Sequence, residues 1–231
     1  MLRGRWLLSI LLLVLVAACG RSERPDPAKL AAEGATAFDA VTSFHFKLDV
    51  TEGESAPLGE IGLTLISADG DTVRPDKVAA RLKAKLAGAP IAVNINGIII
   101  GADAWITPNP FNATQYEKLE DTGGLESFSP AKGVSDVLRG LRNPTYVEEV
   151  EIAGVKTHHL SGVVDAANLN SLTGGVATAG ELKLDLWIGA DDKLLRQLVA
   201  VGALDPSEKA TIKRTLNLTQ FNESFAIAPP Q

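Results

Sequence analysis

The chain has 231 residues, of which 45% are hydrophobic and 22% are charged, and its formal net charge at pH 7 is −6. This length suits a single sizeable apolar core. The excess of acidic side chains, without a run of Lys and Arg, argues against nucleic-acid binding and against electrostatic docking on anionic lipid headgroups, because both need clustered cations.

Residues 1–18 have the layout of a signal peptide. Arg3 and Arg5 form a short basic segment, and residues 6–18 carry no charge. These thirteen residues would span about 20 Å as a helix, against a hydrocarbon core of roughly 30 Å, so a transmembrane helix is the poorer interpretation. Removal of residues 1–18 takes away those two arginines and leaves 20 basic against 28 acidic side chains.

The sequence Val16-Ala17-Ala18-Cys19 resembles the lipobox of bacterial lipoproteins, in which a cysteine after small residues receives a diacylglycerol. Cys19 is the single cysteine of the chain, so no disulfide can form within it. We predict that Cys19 is the lipid-attachment site and holds the protein on the extracytoplasmic face of the cell membrane. An ordinary cleavage site with a chance cysteine is the alternative.

Residues 19–28 are polar and contain Pro25 and Pro27, which predicts a short lipidated tether. Residues 29–231 are predicted to form a single domain, because no repeat or low-complexity tract divides them. Residues 27–42 predict an opening helix, since Leu30, Phe38 and Val41 recur near a 3.6-residue period.

From residue 43 onward the hydrophobic period becomes two, which is typical of half-buried strands. Residues 78–86 are rich in Ala and Lys, yet Val78, Leu82 and Leu86 alternate with Arg81 and Lys83, so we predict a strand there. Asn96-Gly97 predicts a hairpin turn between two strands. The strands are predicted at 44–50, 61–65, 78–86, 91–96, 98–100, 146–152, 155–164, 181–188, 194–201 and 212–221.

Between these strands, residues 107–132 predict a loop, and residues 135–141 predict a short helix that Asn143-Pro144 ends. Tight links at residues 153–154, 190–192 and 205–206 require antiparallel pairing, because a parallel crossover needs a dozen or more residues. The predicted fold class is therefore α+β, with a large antiparallel sheet curled over one or more helices.

The usual signatures of catalysis and metal binding are missing from the sequence: a Gly-x-Ser-x-Gly elbow, a phosphate-binding loop, a His-Glu-x-x-His motif and spaced cysteines. His158-His159 is the most suggestive pair, but neighbours on a strand point to opposite faces and cannot chelate one metal together. We expect one histidine to face solvent and the other to be packed with its nitrogen hydrogen-bonded. The sequence thus predicts no enzyme activity, no metal and no cofactor.

Several segments carry a resemblance to a known family. They are the Val-Arg-Pro-Asp-Lys-Val of residues 73–78, the Gly-Val-Lys-Thr-His-His-Leu-Ser-Gly of residues 154–162 with Asp165, the Leu-Trp-Ile of 186–188 before the turn at 191–194, and the closing segment 217–229. With these segments the chain resembles the LppX/LprAFG family of lipid-carrying bacterial lipoproteins, whose fold is related to the LolA and LolB carriers. The resemblance covers nearly all of the chain after residue 18.

The resemblance implies a half-barrel sheet closing over helices around an apolar cavity. Such a cavity would accept the acyl chains of a membrane glycolipid or phospholipid and carry them across the cell envelope, with an envelope transporter as an expected partner. The alternating strands predict the lining residues Phe46, Leu48, Leu63, Leu65, Leu82, Leu86, Val93, Ile95, Leu184 and Leu186.

The same aliphatic residues could instead fill a solid core, so two other classes of function stay open. A structural or assembly lipoprotein that binds another protein predicts a filled core and an exposed apolar patch. An envelope enzyme predicts a polar cleft with convergent titratable groups.

Overall fold

The computed structural model describes residues 24–231 except 59–61, 87–90, 110–111, 113, 123–127, 176 and 178–179. The predicted signal peptide, Cys19 and residues 20–23 of the predicted tether lie outside the described residues. In the described part of the chain, no helix has both the length and the apolar content needed to cross a bilayer.

The described residues form three α-helices, a short 3-10 helix and twelve strands. The helices are α1 (Pro27–Asp39), α2 (Pro130–Arg139), the 3-10 helix (Ala166–Leu169) and α3 (Asn170–Thr173). The strands are β1 (Ser43–Glu52), β2 (Pro57–Leu58), β3 (Leu63–Val73), β4 (Lys77–Leu86), β5 (Ala92–Ile100), β6 (Asp103–Ile106), β7 (Glu117–Lys118), β8 (Arg142–Ile152), β9 (Val155–Asp165), β10 (Glu181–Gly189), β11 (Leu195–Val201) and β12 (Lys213–Thr219).

All twelve strands belong to one sheet in the order β7-β6-β5-β4-β3-β1-β12-β11-β10-β9-β8, with β2 paired to β3. Every recorded pairing is antiparallel, as the tight links predicted. The pairing of β1 with β12, which sets Phe46 opposite Leu218 and Leu48 opposite Leu216, joins the first half of the sheet (β1–β7) to the second half (β8–β12).

Strand β4 confirms that alternation outweighs helix propensity at residues 78–86. Val78 and Ala84 are buried, whereas Arg81 and Lys83 are exposed. The strand lies between β3 and β5, so its backbone groups are hydrogen-bonded on both sides. Tertiary pairing of this kind overrides a weak local preference of Ala and Lys for helix.

The hairpin turn predicted at Asn96-Gly97 is wrong. Strand β5 runs through both residues, with Gly97 paired to Ala80 on one side and Ile106 on the other. The chain instead reverses at Gly101, whose φ of +61° lies in the left-handed region that favours glycine. Because Gly97 has no such φ in this structure, the Asn-Gly signal does not act as a turn here.

Strand β3 extends to Val73, well beyond the predicted end at residue 65, and its small residues explain why the sequence pattern missed it. A Cβ on Gly70 would lie 2.3 Å from the carbonyl oxygen of Ala79 and 2.8 Å from the Cα of Ala80. Only glycine therefore allows β3 and β4 to approach this closely. The polar and glycine-containing Ser67–Asp71 stretch is paired to β4 despite its weak strand propensity.

Both longer helices are confirmed, with shifted ends. Helix α1 begins at Pro27 as predicted, because the Asp26 Oδ1 atom accepts hydrogen bonds from the backbone N–H groups of Ala28 (2.9 Å) and Lys29 (3.3 Å). Helix α2 starts at Pro130, five residues before the predicted start, since proline is well tolerated in the first helical turn. Strand β8 begins at Arg142, so the helix ends before the residues predicted to stop it.

Helices α1 and α2 pack on each other, and α1 lies against β8 and β10 on the concave face of the second half of the sheet. The approach is close, because a Cβ on Gly34 would lie 3.3 Å from the carbonyl oxygen of Lys193 and 3.4 Å from the Cδ1 atom of Ile188. The Phe38 ring of α1 lies 5.2 Å from the ring of Phe44. The packed core therefore sits under α1.

The Arg74 side chain ties both helices to the sheet. Its Nε donates to the carbonyl oxygen of Val41 at 2.6 Å, and its Nη2 donates to the carbonyl oxygens of Phe38 at 3.1 Å and Ala131 at 3.2 Å. The guanidinium contacts the last turn of α1, the segment that follows α1 and the first turn of α2. A single residue in the β3–β4 turn thus links both helices to the sheet.

We expect Arg74→Ala to lower the free energy of unfolding by about 2–4 kcal/mol, because it leaves three partly buried carbonyl groups without their charged donor. Urea unfolding followed by circular dichroism measures this loss. Arg139→Ala is the matched control, since Arg139 also links the helices, through an exposed ion pair with Asp39, and should cost no more than about 1 kcal/mol. Equal costs for the two variants would contradict the anchoring role of Arg74.

An apolar cavity as the candidate functional site

A cavity of about 380 Å³ lies between the concave face of the sheet and the segment of α2, the 3-10 helix and α3. Strands β1, β3–β6, β11 and β12 form one wall, with side chains such as Phe46, Leu82 and Leu216. Val134 of α2, together with Leu169 and Leu172, lies on the helical side. The lining is therefore almost entirely aliphatic and aromatic.

The sheet is hollow on one half and filled on the other because the inner side chains differ in size. On β9 and β10 the inner positions carry large residues that are at most 1% exposed, namely Leu160, Val164, Leu182, Leu184, Leu186 and Ile188. On β3–β5 several inner positions carry Ala68, Ala80 and Gly97, and α1 does not cover them. Small side chains that α1 does not cover leave space between the sheet and the segment of α2, the 3-10 helix and α3.

Gly97 shows the open space most directly. A Cβ added there would find no atom closer than the carbonyl oxygen of Trp105, at 3.9 Å. Gly97 also lies among the residues that line the cavity. A larger side chain at this position would therefore extend into the cavity without a steric clash at its first atom.

The ten lining residues predicted from the sequence fall into three groups. Five of them line the cavity: Phe46, Leu48, Leu65, Leu82 and Ile95. They come from β1, β3, β4 and β5, which belong to the first half of the sheet. In this half the period-two pattern selected residues on the correct face.

Leu63, Leu86 and Val93 do not line the cavity. They pack with Ala84 in a separate small cluster on the same strands. The β-bulge between Leu65 and Ser67 shifts the register of β3 against β4 at this end. These three predictions are corrected, because sharing a face with the cavity wall does not place a residue at the cavity.

Leu184 and Leu186 also lie away from the cavity. Each is at most 1% exposed and belongs to the packed core. Strand β10 is covered by α1, so its inner side chains meet a helix and not a void. The alternation that identified them is correct, but it cannot tell a covered strand from an uncovered one.

Small and helical residues also line the cavity and were not predicted from the sequence, such as Ala80, Gly97, Ala200 and Leu172. Ala80 and Gly97 occupy the inner positions of their strands, and their small size was the available signal. Leu172 carried no such signal, because it reaches the cavity only through the packing of α3.

One end of the cavity is polar, with an ion pair between Glu208 and Arg214 whose side chains are 3% and 8% exposed. Glu208 also accepts hydrogen bonds from the backbone N–H groups of Ala56 and Leu204, each at 2.8 Å. Arg214 donates to the carbonyl oxygen of Gly202 at 3.3 Å. These bonds hold the β1–β2 connection, the β11–β12 connection and β12 together at this end.

The carboxyl of Glu208 stays ionised in this setting. Burial acts to raise its pKa, but hydrogen bonds from Arg214, Ala56 and Leu204, together with the Arg214 charge, outweigh burial and lower the pKa below its ordinary value. A buried charge of this kind is tolerable only when it is paired and hydrogen-bonded. The charged groups at the polar end of the cavity therefore satisfy one another and the neighbouring backbone.

The two adjacent histidines point to opposite faces of β9, as predicted. His159 lies on the outer face, where its Nε2 is 2.8 Å from Asp185 Oδ1 and its ring stacks on Trp187 at 4.4 Å. His158 is buried, and burial and the nearby Lys193 charge lower its pKa. The expected hydrogen bond to the packed histidine is not found at Nδ1, which has no partner among the described residues.

The described residues contain no group of three or more His, Cys, Asp or Glu side chains arranged to hold a metal ion. The charged residues among those that line the cavity are Asp205, Glu208 and Arg214. The lining of the cavity can bury apolar groups.

Comparison with known proteins gives a family match, a curated relative and two solved structures. The family model described as LppX_LprAFG lipoprotein matches residues 26–225. The chain is 26% identical, over 212 residues, to the lipoarabinomannan carrier protein LprG of Mycobacteroides abscessus, covering 88% of this chain and 87% of that protein.

Two crystal structures share the fold. LprF from Mycobacterium bovis aligns with a TM-score of 0.65 at 19% identity, over 90% of this chain and 99% of that one. LppX from Mycobacterium tuberculosis aligns with a TM-score of 0.58 at 20% identity, over 88% of this chain and 100% of that one. The predicted fold class, a curled antiparallel sheet with helices, is confirmed.

The family match spans most of the chain, and the folds of LprF and LppX agree with it. The chain belongs to the LppX/LprAFG family of lipoproteins.

Proposed function

We propose that this protein binds the acyl chains of a membrane glycolipid or phospholipid in its cavity and carries that lipid across the cell envelope. The observation that carries the proposal is the apolar cavity of about 380 Å³ on the uncovered half of the sheet. The name of the relative LprG, a lipoarabinomannan carrier, supports a lipid with a carbohydrate headgroup.

The chemistry of the lining suits flexible acyl chains. Burial of apolar surface contributes about 25 cal/mol per Å², or roughly 0.8 kcal/mol for each methylene group. A polar headgroup would lose its hydrogen bonds to water against Leu82, Ile95 or Leu216 and would gain no partners there. The acyl chains are therefore the part of the lipid that the cavity would hold, and the headgroup would stay outside.

A protein-binding assembly lipoprotein is the competing function, and its two expected features are a filled core and a contiguous exposed apolar patch. The cavity is inconsistent with a filled core. Among the described residues, the exposed large apolar side chains are Ile91 and Val147, which lie beside β5 and in β8, far apart in the strand order. These features favour the carrier.

The enzyme alternative requires a polar cleft with convergent titratable groups. The cavity instead carries its charges at one end, where Glu208 and Arg214 satisfy each other. The carrier proposal also agrees with the family, which is one of lipoproteins.

The carrier needs attachment to a membrane, and we propose that Cys19 supplies it. The Val16-Ala17-Ala18-Cys19 sequence supports this, as does membership of a lipoprotein family. Two or three acyl chains anchor a protein stably, whereas one gives only marginal binding. The protein would then lie on the extracytoplasmic face of the membrane, and an envelope transporter is its proposed partner.

Gly97→Trp tests the cavity, because the indole ring would occupy the space that the acyl chains need. We expect lipid recovered by mass spectrometry from the purified protein to fall several-fold. Since the ring enters a void, the free energy of unfolding should change by less than about 1 kcal/mol. Asn94→Trp is the control, because Asn94 is an exposed residue on the opposite face of the same strand and should change neither quantity.

A tryptophan introduced in the packed core gives the comparison for Gly97→Trp. Leu184→Trp should destabilise the protein by about 1–3 kcal/mol, because Leu184 is at most 1% exposed and its surroundings are filled. The carrier proposal fails if Gly97→Trp is as destabilising as Leu184→Trp and the unmodified protein contains no lipid.

Cys19→Ser tests the anchor, because a serine cannot receive the thioether-linked diacylglycerol. We expect the protein to move from the membrane fraction to the soluble fraction, as measured by immunoblotting after a carbonate wash. Ser22→Ala, which leaves the cysteine intact, should not change the distribution. A Cys19→Ser protein that stays on the membrane would show that the anchor lies elsewhere.

A further inference from the structure

The outer face of β4 carries a row of cations. Side chains alternate along a strand, so Lys77, Arg81, Lys83 and Lys85 point away from the face that carries Val78, Ala80 and Leu82. Composition and the lack of a run of basic residues predicted no cluster of cations on this acidic protein. The structure corrects that expectation. In the paired strand, cations that are two or four positions apart in the sequence lie on one surface.

Most of these cations have no ion-pair partner within the part of the chain that the structure describes. Lys85 lies 3.0 Å from a carboxylate oxygen of Glu54. Among the described residues, Lys77, Arg81 and Lys83 have no carboxylate oxygen within 4.0 Å, and Arg81 donates to Asn96 Oδ1 at 3.4 Å.

Two acidic residues of β3 lie beside the row. Asp69 and Asp71 are the partners of Arg81 and Ala79 in the β3–β4 register. Both carboxylates face the imidazole of His45, at 3.6 Å and 2.8 Å. These two carboxylates offset part of the positive charge of the row on the β3 side. The positive charge is therefore least offset by carboxylates on the β5 side.

Apolar side chains flank the row on the β5 side. Ile100 is opposite Lys77, and Ile98 is opposite both Ala79 and Trp105 of β6. Strand alternation puts the side chains of Ile98, Ile100 and Trp105 on the side of the sheet opposite to Gly97, and all three are half-buried. Ile98 and Trp105, the neighbours of Gly97 and Ile106, also border the cavity. The Lys118 Nζ lies 5.8 Å from the centre of the Trp105 ring and 2.6 Å from Asp103. Cations beside tryptophan and isoleucine are typical of surfaces that bind the headgroup region of a bilayer.

We propose that this basic face, formed by Lys77, Arg81, Lys83, Ile98 and Trp105, docks on the anionic phospholipid headgroups of the membrane. Charge complementarity is the driving force, since an anionic surface attracts each nearby cation within about one Debye length, roughly 8–10 Å. The inner side of the same strands lines the cavity, so docking would set one cavity wall against the membrane. The proposal does not depend on which lipid the cavity binds.

A fluorescent probe on the basic face tests the docking. The full-length protein carrying Ala79→Cys, labelled with an environment-sensitive fluorophore, is reconstituted in phosphatidylcholine vesicles with or without phosphatidylglycerol. We expect a blue shift of the emission only with phosphatidylglycerol, and its loss at high salt. Thr219→Cys places the same label on exposed β12 and should show no shift, and the parent chain controls for labelling of Cys19.

Charge reversal identifies the residues responsible. Arg81→Glu combined with Lys83→Glu should lower the ratio of docked to undocked protein at least about tenfold. Lys156→Glu with Lys183→Glu makes the same change of charge at exposed positions of β9 and β10 and should have little effect. Lys77→Gln with Lys83→Gln is a milder variant that should lower the ratio several-fold if the reversal disturbs folding. Equal emission on neutral and anionic vesicles, or an equal effect of the control reversal, would overturn the proposal.

Discussion

The inner face of the curled sheet must be covered by apolar material, and the helices of this protein are too short to cover all of it. Helix α1 has 13 residues and α2 has 10. Helix α1 lies on β8 and β10, and the inner side chains there are large enough to fill the space beneath it. The other half of the sheet is left with small inner residues, and a void forms between these strands and α2, the 3-10 helix and α3.

A void of this kind has a cost, because the atoms that line it lack packing partners on one side. The neighbouring structure is held in place by polar contacts at its margins. Arg74 fixes the end of α1 and the first turn of α2, while Glu208 and Arg214 hold three segments together at the polar end. An apolar ligand in the void would restore the missing contacts.

Strand β4 contributes to two surfaces with different chemistry. Its inner residues Val78, Ala80 and Leu82 line the cavity, and its outer residues Arg81 and Lys83 are exposed cations. Successive side chains of a strand point to opposite faces, so a strand paired on both sides presents one set of side chains to each surface. The same alternation separates buried His158 from His159, which is hydrogen-bonded to Asp185 on the outer surface.

Local sequence was sufficient for features that depend on side-chain period and on caps. It determined the α+β class, the antiparallel pairing, the strand at β4 and the start of α1 at Pro27, because each follows from spacing along the chain. The lining residues Phe46, Leu48, Leu65, Leu82 and Ile95 were also predictable, since they lie on the inner faces of strands with clear alternation.

Tertiary structure decided the features that depend on which strands and helices pack against each strand. Asn96-Gly97 continues a strand because β4 and β6 pair with it on either side, and Leu184 is packed because α1 covers β10. Gly97 opens onto the cavity because the described residues leave its Cβ position without a neighbour closer than 3.9 Å. The row of cations on β4 likewise exists only in the paired sheet. Sequence period gives the face of a residue, whereas long-range packing determines what that face meets.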